Sequence, residues 1–214
     1  MNVIFGSAGF AKEVDWLIND LIRDGQESYP PDFFVSRNDI GKLINGKKVI
    51  DENEFLNMIP QNDVINAFFS IGSPLIKRKI HESFHQFKQI YYPNLIHPNV
   101  LFDKRNSKIE YGIGNIFCAG TILTTDIKIG NFVHINLGAT IGHDSSIGDY
   151  STISPGSHIS GNVHFGNDVF VGTGAVILER ISVCNAAVIG AGAVVTKSID
   201  EPGTYIGIPA KRIK

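Results

Sequence analysis

The chain has 214 residues, enough for one large domain or two small ones. Its apolar share of 43% is that of an ordinary soluble protein, and a formal net charge of −2 offers no basic field to nucleic acid. No apolar run approaches a membrane span, the N-terminal residues turn to glycine and charge too early for a secretory leader, and the two cysteines, Cys118 and Cys184, are expected to be free thiols; together these predict a cytoplasmic protein with no membrane span and no nucleic-acid partner.

Up to residue 95 the chain alternates strand-like and helix-like segments. Asn2–Phe5 reads as a short strand, and Gly6-Ser7-Ala8-Gly9 as a turn. Apolar residues at Val14, Leu17, Ile18, Leu21 and Ile22 have helical spacing, so a helix is expected over Ala11–Ile22. Phe33–Val35 and Val49–Ile50 read as strands, and Asp51 or Asn53 as the cap of a short helix ending at Met58. Val64–Ile71 is a buried-strand candidate closed by Gly72, and Pro74–Phe87 a second amphipathic helix with proline in its first turn. This alternation predicts a small parallel α/β sheet.

The glycine turn sits where backbone N–H groups at a helix N-terminus meet phosphate oxygens. Its spacing is GxxG, and no acidic residue follows about 20 positions on in a clear second strand, so a dinucleotide is disfavoured. A nucleotide-sugar diphosphate needs less, and a plain tight turn needs less still; the turn alone fits both. Gly72 ends a second strand-to-helix turn. Behind it, Lys77 and Arg78 fit either a diphosphate or a solvated helix face.

From Tyr111 the chain repeats every six residues, with a large apolar residue at each stop: Tyr111, Phe117, Leu123, Ile129, Ile135, Ile141, Ile147, Ile153, Ile159, Phe165, Val171, Ile177, Val183, Ile189 and Val195. Small or aliphatic residues recur four places after most stops. A hexapeptide period predicts a parallel β-helix. Fifteen stops at three per coil give about five coils, some 24 Å at the ~4.8 Å strand spacing. The irregular stretch Ile96–Ser107 reads as a capping first coil, and Glu201–Lys214 as a tail leaving the repeat. No insertion interrupts the hexads, so nothing in them can roof a cleft. A homotrimer with sites between subunits is therefore expected.

Acyl transfer on such a coil needs one general base near neutral pKa. Seven histidines are present. His81 and His85 lie one helical turn apart, and His97 is in the irregular cap. His134, His158 and His164 take the last place of their hexads, expected at corners of the prism. His143 alone lies mid-hexad beside a carboxylate, Asp144, which can hold the imidazole tautomer. Thr125 and Gly161, one coil away on either side, leave it room. Clusters with metal-ligand spacing are absent from the sequence, so no metal is expected.

These features resemble the bacterial sugar acyltransferases of the sialic-acid O-acetyltransferase and bacillosamine-pathway N-acetyltransferase group. The resemblance rests on Ile4-Phe5-Gly6-Ser7-Ala8-Gly9-Phe10-Ala11-Lys12, Ser70-Ile71-Gly72, Gly142-His143-Asp144, Ser160-Gly161-Asn162-Val163 and Gly207-Ile208-Pro209-Ala210-Lys211, and it covers essentially the whole chain. It implies an α/β Rossmann-like N-terminal domain (1–95), a left-handed parallel β-helix (96–203) and a C-terminal tail (204–214). It further implies a homotrimer using acetyl-CoA as cosubstrate and a nucleotide-linked amino sugar as acceptor. Carried over residue by residue, His143 is the catalytic base and Asp144 its partner. Asn136 matches a residue close enough in the family to touch the sugar, and the two glycine turns, Gly6, Ser7, Ala8, Gly9 and Gly72, are expected to line the nucleotide-sugar site in the N-terminal domain. Gly161, Gly172, Thr173, Gly174, Gly190, Ala191 and Pro209 bind acetyl-CoA. Some relatives carry a second histidine where this chain has Thr152, and an acidic pair near the base where it reads Ser36-Arg37-Asn38-Asp39.

The expected activity is N-acetylation of a nucleotide-linked 4-amino-4,6-dideoxyhexose. A sugar O-acetyltransferase of the sialic-acid type fits the same His-Asp pair. A non-catalytic hexapeptide scaffold is the alternative of another class.

Overall fold

Strand β1 (Asn2–Phe5) lies at the centre of the N-terminal sheet, flanked by β2 (Phe33–Val35) and β5 (Ile65–Phe69), both parallel to it. The computed structural model describes residues 1–26, 30–61, 63–103 and 108–213. Between these strands run α1 (Gly9–Arg23), the hairpin strands β3 (Leu43–Ile44) and β4 (Lys47–Ile50), and α2 (Glu52–Met58); α3 (Pro74–Phe84) and β6 (Ile90–Tyr91) follow. The sheet order β3-β4-β2-β1-β5-β6 reverses at β1, so the ends of β1 and β5 open onto one crevice. The β3–β4 hairpin is antiparallel, unlike the all-parallel expectation. Its turn is Asn45-Gly46, both at positive φ, and Asn-Gly is a strong hairpin signal in sequence.

From Leu95 the chain winds into a coil of three parallel sheets, an architecture that fits a left-handed β-helix. The first face stacks Leu95–Ile96, Ile116–Phe117, His134–Ile135, Thr152–Ile153, Phe170–Val171, Val188–Ile189 and Thr204–Ile206. The second stacks Leu101–Phe102, Ile122–Leu123, Thr140–Ile141, His158–Ile159, Val176–Ile177 and Val194–Val195. The third stacks Ile109–Tyr111, Ile127–Ile129, Ser146–Ile147, His164–Phe165 and Ser182–Val183. From Phe117 on, the hexad stops pair in steps of 18, as in Phe117↔Ile135 and Ile135↔Ile153. Those side chains point inward, and Ile135, Ile141, Ile153, Val171, Ile177 and Ile189 are fully buried. Burying an aliphatic side chain of this size contributes about 1.5–3 kcal/mol, so the ladder is the coil's main support.

Both ends depart from the expected boundaries. The first coil begins at Leu95 and is longer: Ile96 pairs with Phe117, three residues more than the repeat, and the extra length falls between Phe102 and Ile109. Lys104-Arg105-Asn106-Ser107 of the expected cap, and Lys214 of the tail, lie outside the described residues. The tail does not leave the coil at 204. Tyr205 pairs parallel with Ile189, and Lys211–Arg212 folds back antiparallel on Thr204–Ile206.

Each corner turns on a residue in the left-handed region, three places after each stop from Tyr111 to Ile189. The first corner, between the first and second faces, uses Gly120, Gly138, Gly156, Gly174 and Gly192. The second uses Asp126, Asp144, Asn162 and Arg180, and the third uses Gly114, Phe132, Tyr150, Asp168 and Ala186.

The N-terminal domain docks on the first face and third corner. Phe132 and Tyr150 stack at 5.2 Å between ring centres and meet Phe69, His81 and Tyr92 from the other domain. Along the first face, α1 packs on Ile116 and Cys118. Arg78 pairs with both carboxylate oxygens of Asp168 at 2.9 and 2.7 Å and lies over the Tyr150 ring. Lys77 is fully buried, reaching the Ser151 carbonyl at 3.4 Å and Thr152 Oγ1 at 3.3 Å. Both cations thus hold the two domains together; neither lies on a solvated helix face.

Candidate active site

His143 and Asp144 sit at the second corner, where the chain leaves Thr140–Ile141. Asp144 is the left-handed residue of that turn, φ 58°, a conformation aspartate tolerates better than most residues. Its Oδ2 lies 2.8 Å from His143 Nδ1, with both side chains 63% exposed. The carboxylate therefore accepts from Nδ1–H and leaves the Nε2 lone pair free. The imidazole lies over Gly161 one coil below, where a Cβ would stand 2.6 Å from Nε2. Asp144 N–H donates to the Thr125 carbonyl one coil above. The stacking read from the sequence is therefore present: Thr125 above, Gly161 below, and room for the ring between them.

Asn136 lies in the same coil but at the first corner, at the opposite end of the second face. Its Oδ1 accepts from the Leu137 N–H. Gly172, Thr173 and Gly174 stand two coils further at that same corner, and Gly190 and Ala191 one coil beyond them. Pro209 lies where the tail closes on the second face: Gly207 C=O accepts from Val194 N–H and Ala210 N–H donates to Val194 C=O. The expected cofactor residues are thus divided, Gly161 at the second corner and the rest at the first or at the tail. Several of the glycines have a packing reason to be glycine. A Cβ at Gly172 would press on the Gly190–Ala191 backbone, and one at Gly190 on Ile206.

At the N-terminal crevice the two glycine turns divide differently. Gly6 has φ 118°, and a Cβ there would strike Ser70, so it serves the close approach of β1 and β5. Gly9 and Gly72 have nothing within 4 Å of an added Cβ and face open space. Ser7 Oγ lies 3.0 Å from Ser36 Oγ and 3.1 Å from Asp39 Oδ2, which joins the first turn to the loop after β2. Hydrogen bonds from Lys42 and Ser7 lower the Asp39 pKa below the usual carboxylate value. Ala8 and Ser73, the residues before α1 and α3, give no side-chain cap, whereas Asp51 caps α2 by accepting from Glu54 N–H at 2.7 Å. The two helices that start at the crevice are the ones whose first N–H groups have no side-chain cap.

The other histidines differ from expectation. His134, His158 and His164 lie on strands, facing outward, rather than at corners. His134 is fully buried under Phe10 with neither ring nitrogen bonded; burial first, then Lys77, pushes its pKa well down. His97 is a domain contact, its Nδ1 accepting from Asn99 N–H and its Nε2 bonding Asp20. His81 bonds Tyr150 at 2.7 Å. The domain-docking residues Phe132 and Tyr150 were legible as aromatics at places where other hexads have glycine, aspartate or asparagine.

Within one chain, His143 stands at the corner opposite the first face, on which the N-terminal domain sits. Faces and corners alternate around the coil, so the crevice of a given chain and its own His143 lie on opposite sides of the prism. Among the described residues no group of His, Cys, Asp and Glu is placed to hold a metal within a chain, and no helix is long and apolar enough to cross a membrane.

No family model matches the chain. Among curated proteins it is 32% identical over 144 residues to a GDP-perosamine N-acetyltransferase of Escherichia coli O157:H7; the match covers 66% of this chain and 61% of that protein. Among solved structures it is similar to the acetyltransferase domain of PglB from Neisseria gonorrhoeae, with a TM-score of 0.86 and 28% identity over 99% of this chain and 98% of that one. It is also similar to a histidine-to-asparagine mutant of perosamine N-acetyltransferase from Caulobacter crescentus in complex with CoA and GDP-perosamine. There the TM-score is 0.87 and the identity 26%, over 100% of this chain and 96% of that one.

Proposed function

We propose that this chain, a bacterial-type hexapeptide-repeat sugar acetyltransferase by its likeness in sequence and fold, moves acetyl from acetyl-CoA to the amine of a nucleotide-linked 4-amino-4,6-dideoxyhexose. The observation that carries the reading is the whole-length likeness to a perosamine N-acetyltransferase holding CoA and GDP-perosamine. The His143–Asp144 pair, open to solvent at Nε2, supports it at the level of chemistry. The same likeness favours an amine over the hydroxyl of an O-acetyltransferase and a guanosine diphosphate over other carriers.

In this reading the N-terminal domain is a Rossmann-like acceptor module. The diphosphate lies at the uncapped starts of α1 and α3, against Gly9 and Gly72, where N–H groups and helix dipoles favour an anion. The sugar amine attacks the thioester carbonyl. A C–N bond forms, the C–S bond breaks, and His143 Nε2 accepts the proton shed by nitrogen and returns it to the departing CoA thiolate. Asp144 stabilises the imidazolium in between.

The site needs more than one copy of the chain. The first face is covered by the N-terminal domain, and the third is polar outward, with Glu110, Lys128, Ser146, His164 and Ser182. The second carries apolar Leu101, Ile122, Val176, Leu178 and Val194 facing out. A homotrimer closed with its second faces toward the threefold axis covers these. It also sets the second corner of one copy, with His143 and Gly161, beside the first corner of the next, with Asn136, Gly172 and Gly190. Acetyl-CoA then lies between the two corners and the acceptor reaches across from the neighbour's crevice.

The test is acetyl-CoA turnover, followed as free thiol, with GDP-, dTDP- and UDP-linked 4-amino sugars. Turnover with the GDP sugar and its loss in His143→Ala are expected. Absence of thiol release with every sugar defeats the reading.

A further inference from the structure

In open parallel sheets that bind nucleotides where the strand order reverses, the diphosphate lies at the start of the first helix and a carboxylate beyond the second strand takes the ribose hydroxyls. The sequence places no acid about 20 residues past the glycine turn in a clear second strand. The fold supplies one from further along. Asp39 lies in the loop after β2, and its Oδ2 stands 3.1 Å from the Oγ of Ser7, inside the turn that precedes α1. Ser36 Oγ is 3.0 Å from the same hydroxyl. Three side chains thus form one hydrogen-bonded rim across the carboxyl ends of the paired strands β1 and β2. Asp39 is held in the left-handed region, φ 59°, and its Oδ1 accepts from Lys42 Nζ at 2.6 Å.

The cations of this loop are already engaged, Lys42 with Asp39 and Arg37 with both oxygens of Glu52 at 2.9 and 3.0 Å. What the rim offers a ligand is acceptor capacity. A carboxylate has about four lone-pair sites, and Ser7 and Lys42 account for two of them. The same two hydrogen bonds hold the Asp39 pKa below the usual carboxylate value, so the group is ionised at neutral pH. Ser7 stands two residues before Gly9, at most about 7 Å of chain. A nucleoside diphosphate whose phosphates lie at Gly9 and Gly72 therefore has its ribose within reach of Asp39. Its nucleoside end runs over β2, because Gly72 and α3 follow β5 on the other side of β1.

This inference rests on the acetyltransferase reading above and asks which carrier the chain takes. We propose that Asp39 accepts hydrogen bonds from the cis 2′- and 3′-hydroxyls of the carrier's ribose, and so selects ribonucleotide-linked sugars over 2′-deoxyribonucleotide-linked ones. Two hydroxyls on one edge of the ring match the two oxygens of a carboxylate, and bonds to an ionised acceptor are roughly twice as strong as neutral ones. A 2′-deoxy carrier such as dTDP forfeits one of them. At an exposed rim this supports about a tenfold preference.

Binding of GDP and of 2′-deoxy-GDP is measured by calorimetry on the full chain, with no amino sugar and no acetyl-CoA. The wild type is expected to hold GDP about tenfold more tightly. Asp39→Ala should bring the two affinities together. It also loses the 3′ bond and frees Lys42, but both act on the two nucleotides alike, so the ratio isolates the 2′-hydroxyl. Asp39→Asn, which keeps a neutral acceptor, should retain part of the preference. A wild-type Tm and unchanged acetyl-CoA affinity in both variants exclude misfolding. Equal affinities in the wild type, a preference that survives Asp39→Ala, or no binding of either nucleotide overturns the assignment. Each of these leaves the acetyltransferase reading to the thiol-release assay, which defeats it only if no sugar supports turnover.

Discussion

The second and third corners of the coil meet one backbone demand with opposite side chains. Both must place a residue in the left-handed region once per coil. The second corner does so with Asp126, Asp144, Asn162 and Arg180, polar and largely exposed. The third does so with Phe132 and Tyr150, buried under the N-terminal domain. Asparagine and aspartate visit this region at modest cost, whereas an aromatic there needs surroundings that hold it. The difference shows what each corner is for. The third spends backbone strain on docking a domain; the second stays open and polar and holds the imidazole–carboxylate pair.

The largest effect is expected at the open corner. His143→Ala should lower kcat by about 10²–10⁴-fold, with assembly and acetyl-CoA affinity kept. Asp144→Asn should cost less, because asparagine keeps both the left-handed turn and a hydrogen-bond acceptor for Nδ1–H. A pH–rate profile in which His143→Ala matches the wild type would show that another group is the base. At the docked corner the loss should be in stability. Phe132→Ala removes a buried ring stacked among Phe69, His81, Tyr92 and Tyr150, and a cost of about 3–5 kcal/mol is expected. Asp126→Ala, the matching change at the second corner, should cost the left-handed preference and one exposed hydrogen bond from Thr125 Oγ1, about 1–2 kcal/mol together. Chemical denaturation of the two variants separates them; equal losses would mean that the third corner is not what holds the domain.

The hexad spacing carried most of the coil, because inward stops every six residues fix three faces and the 18-residue register at once. His143 and Asp144 were equally legible, being neighbours in sequence and in space. What spacing cannot give is which face another domain will cover. His134 and His158 hold the same hexad place, yet one is sealed under Phe10 and the other is bare. Lys77 and Arg78 show the same limit, since their partners, Ser151, Thr152 and Asp168, lie in another domain. The missed hairpin is different in kind: Asn45-Gly46 was present in the sequence, and β3 was only too short to stand out.

A smaller effect should follow pH at the docked face. His134 has its folded pKa pushed well below 6.5 by burial and by Lys77, and His81 is lowered in the same sense. The unfolded chain therefore binds these protons first as pH falls. Their contribution is fully present above about pH 6.5 and declines below it. His134→Leu should flatten the fall in Tm between pH 7.5 and 5, since it removes one such group, and should also stabilise by about 1–3 kcal/mol across that range by removing an unbonded buried imidazole. Melts at equal protein concentration are required, because assembly shifts Tm by mass action. An unchanged slope in His134→Leu would place the acid sensitivity elsewhere, with His81 next to be tested.

The smallest effect sharpens the comparison by adding the first corner, where glycine alone takes the left-handed place. Gly138 and Gly174 have φ of 65° and 66°, and an added Cβ meets nothing within 4 Å at either. Alanine at each should therefore cost only the backbone preference, about 1 kcal/mol, and lower Tm equally. The two positions differ in what lies outside them. If acetyl-CoA runs along the corner past Gly172 and Gly190, the methyl of Gly174→Ala stands in its path, and that of Gly138→Ala, two coils away, is nearer the acceptor. Gly174→Ala should then raise the acetyl-CoA KM several-fold with kcat little changed, while Gly138→Ala leaves it alone. Equal KM values in both variants, alongside the expected equal loss of Tm, would mean that the glycine column serves the turn of the coil and that the cofactor lies along a different edge.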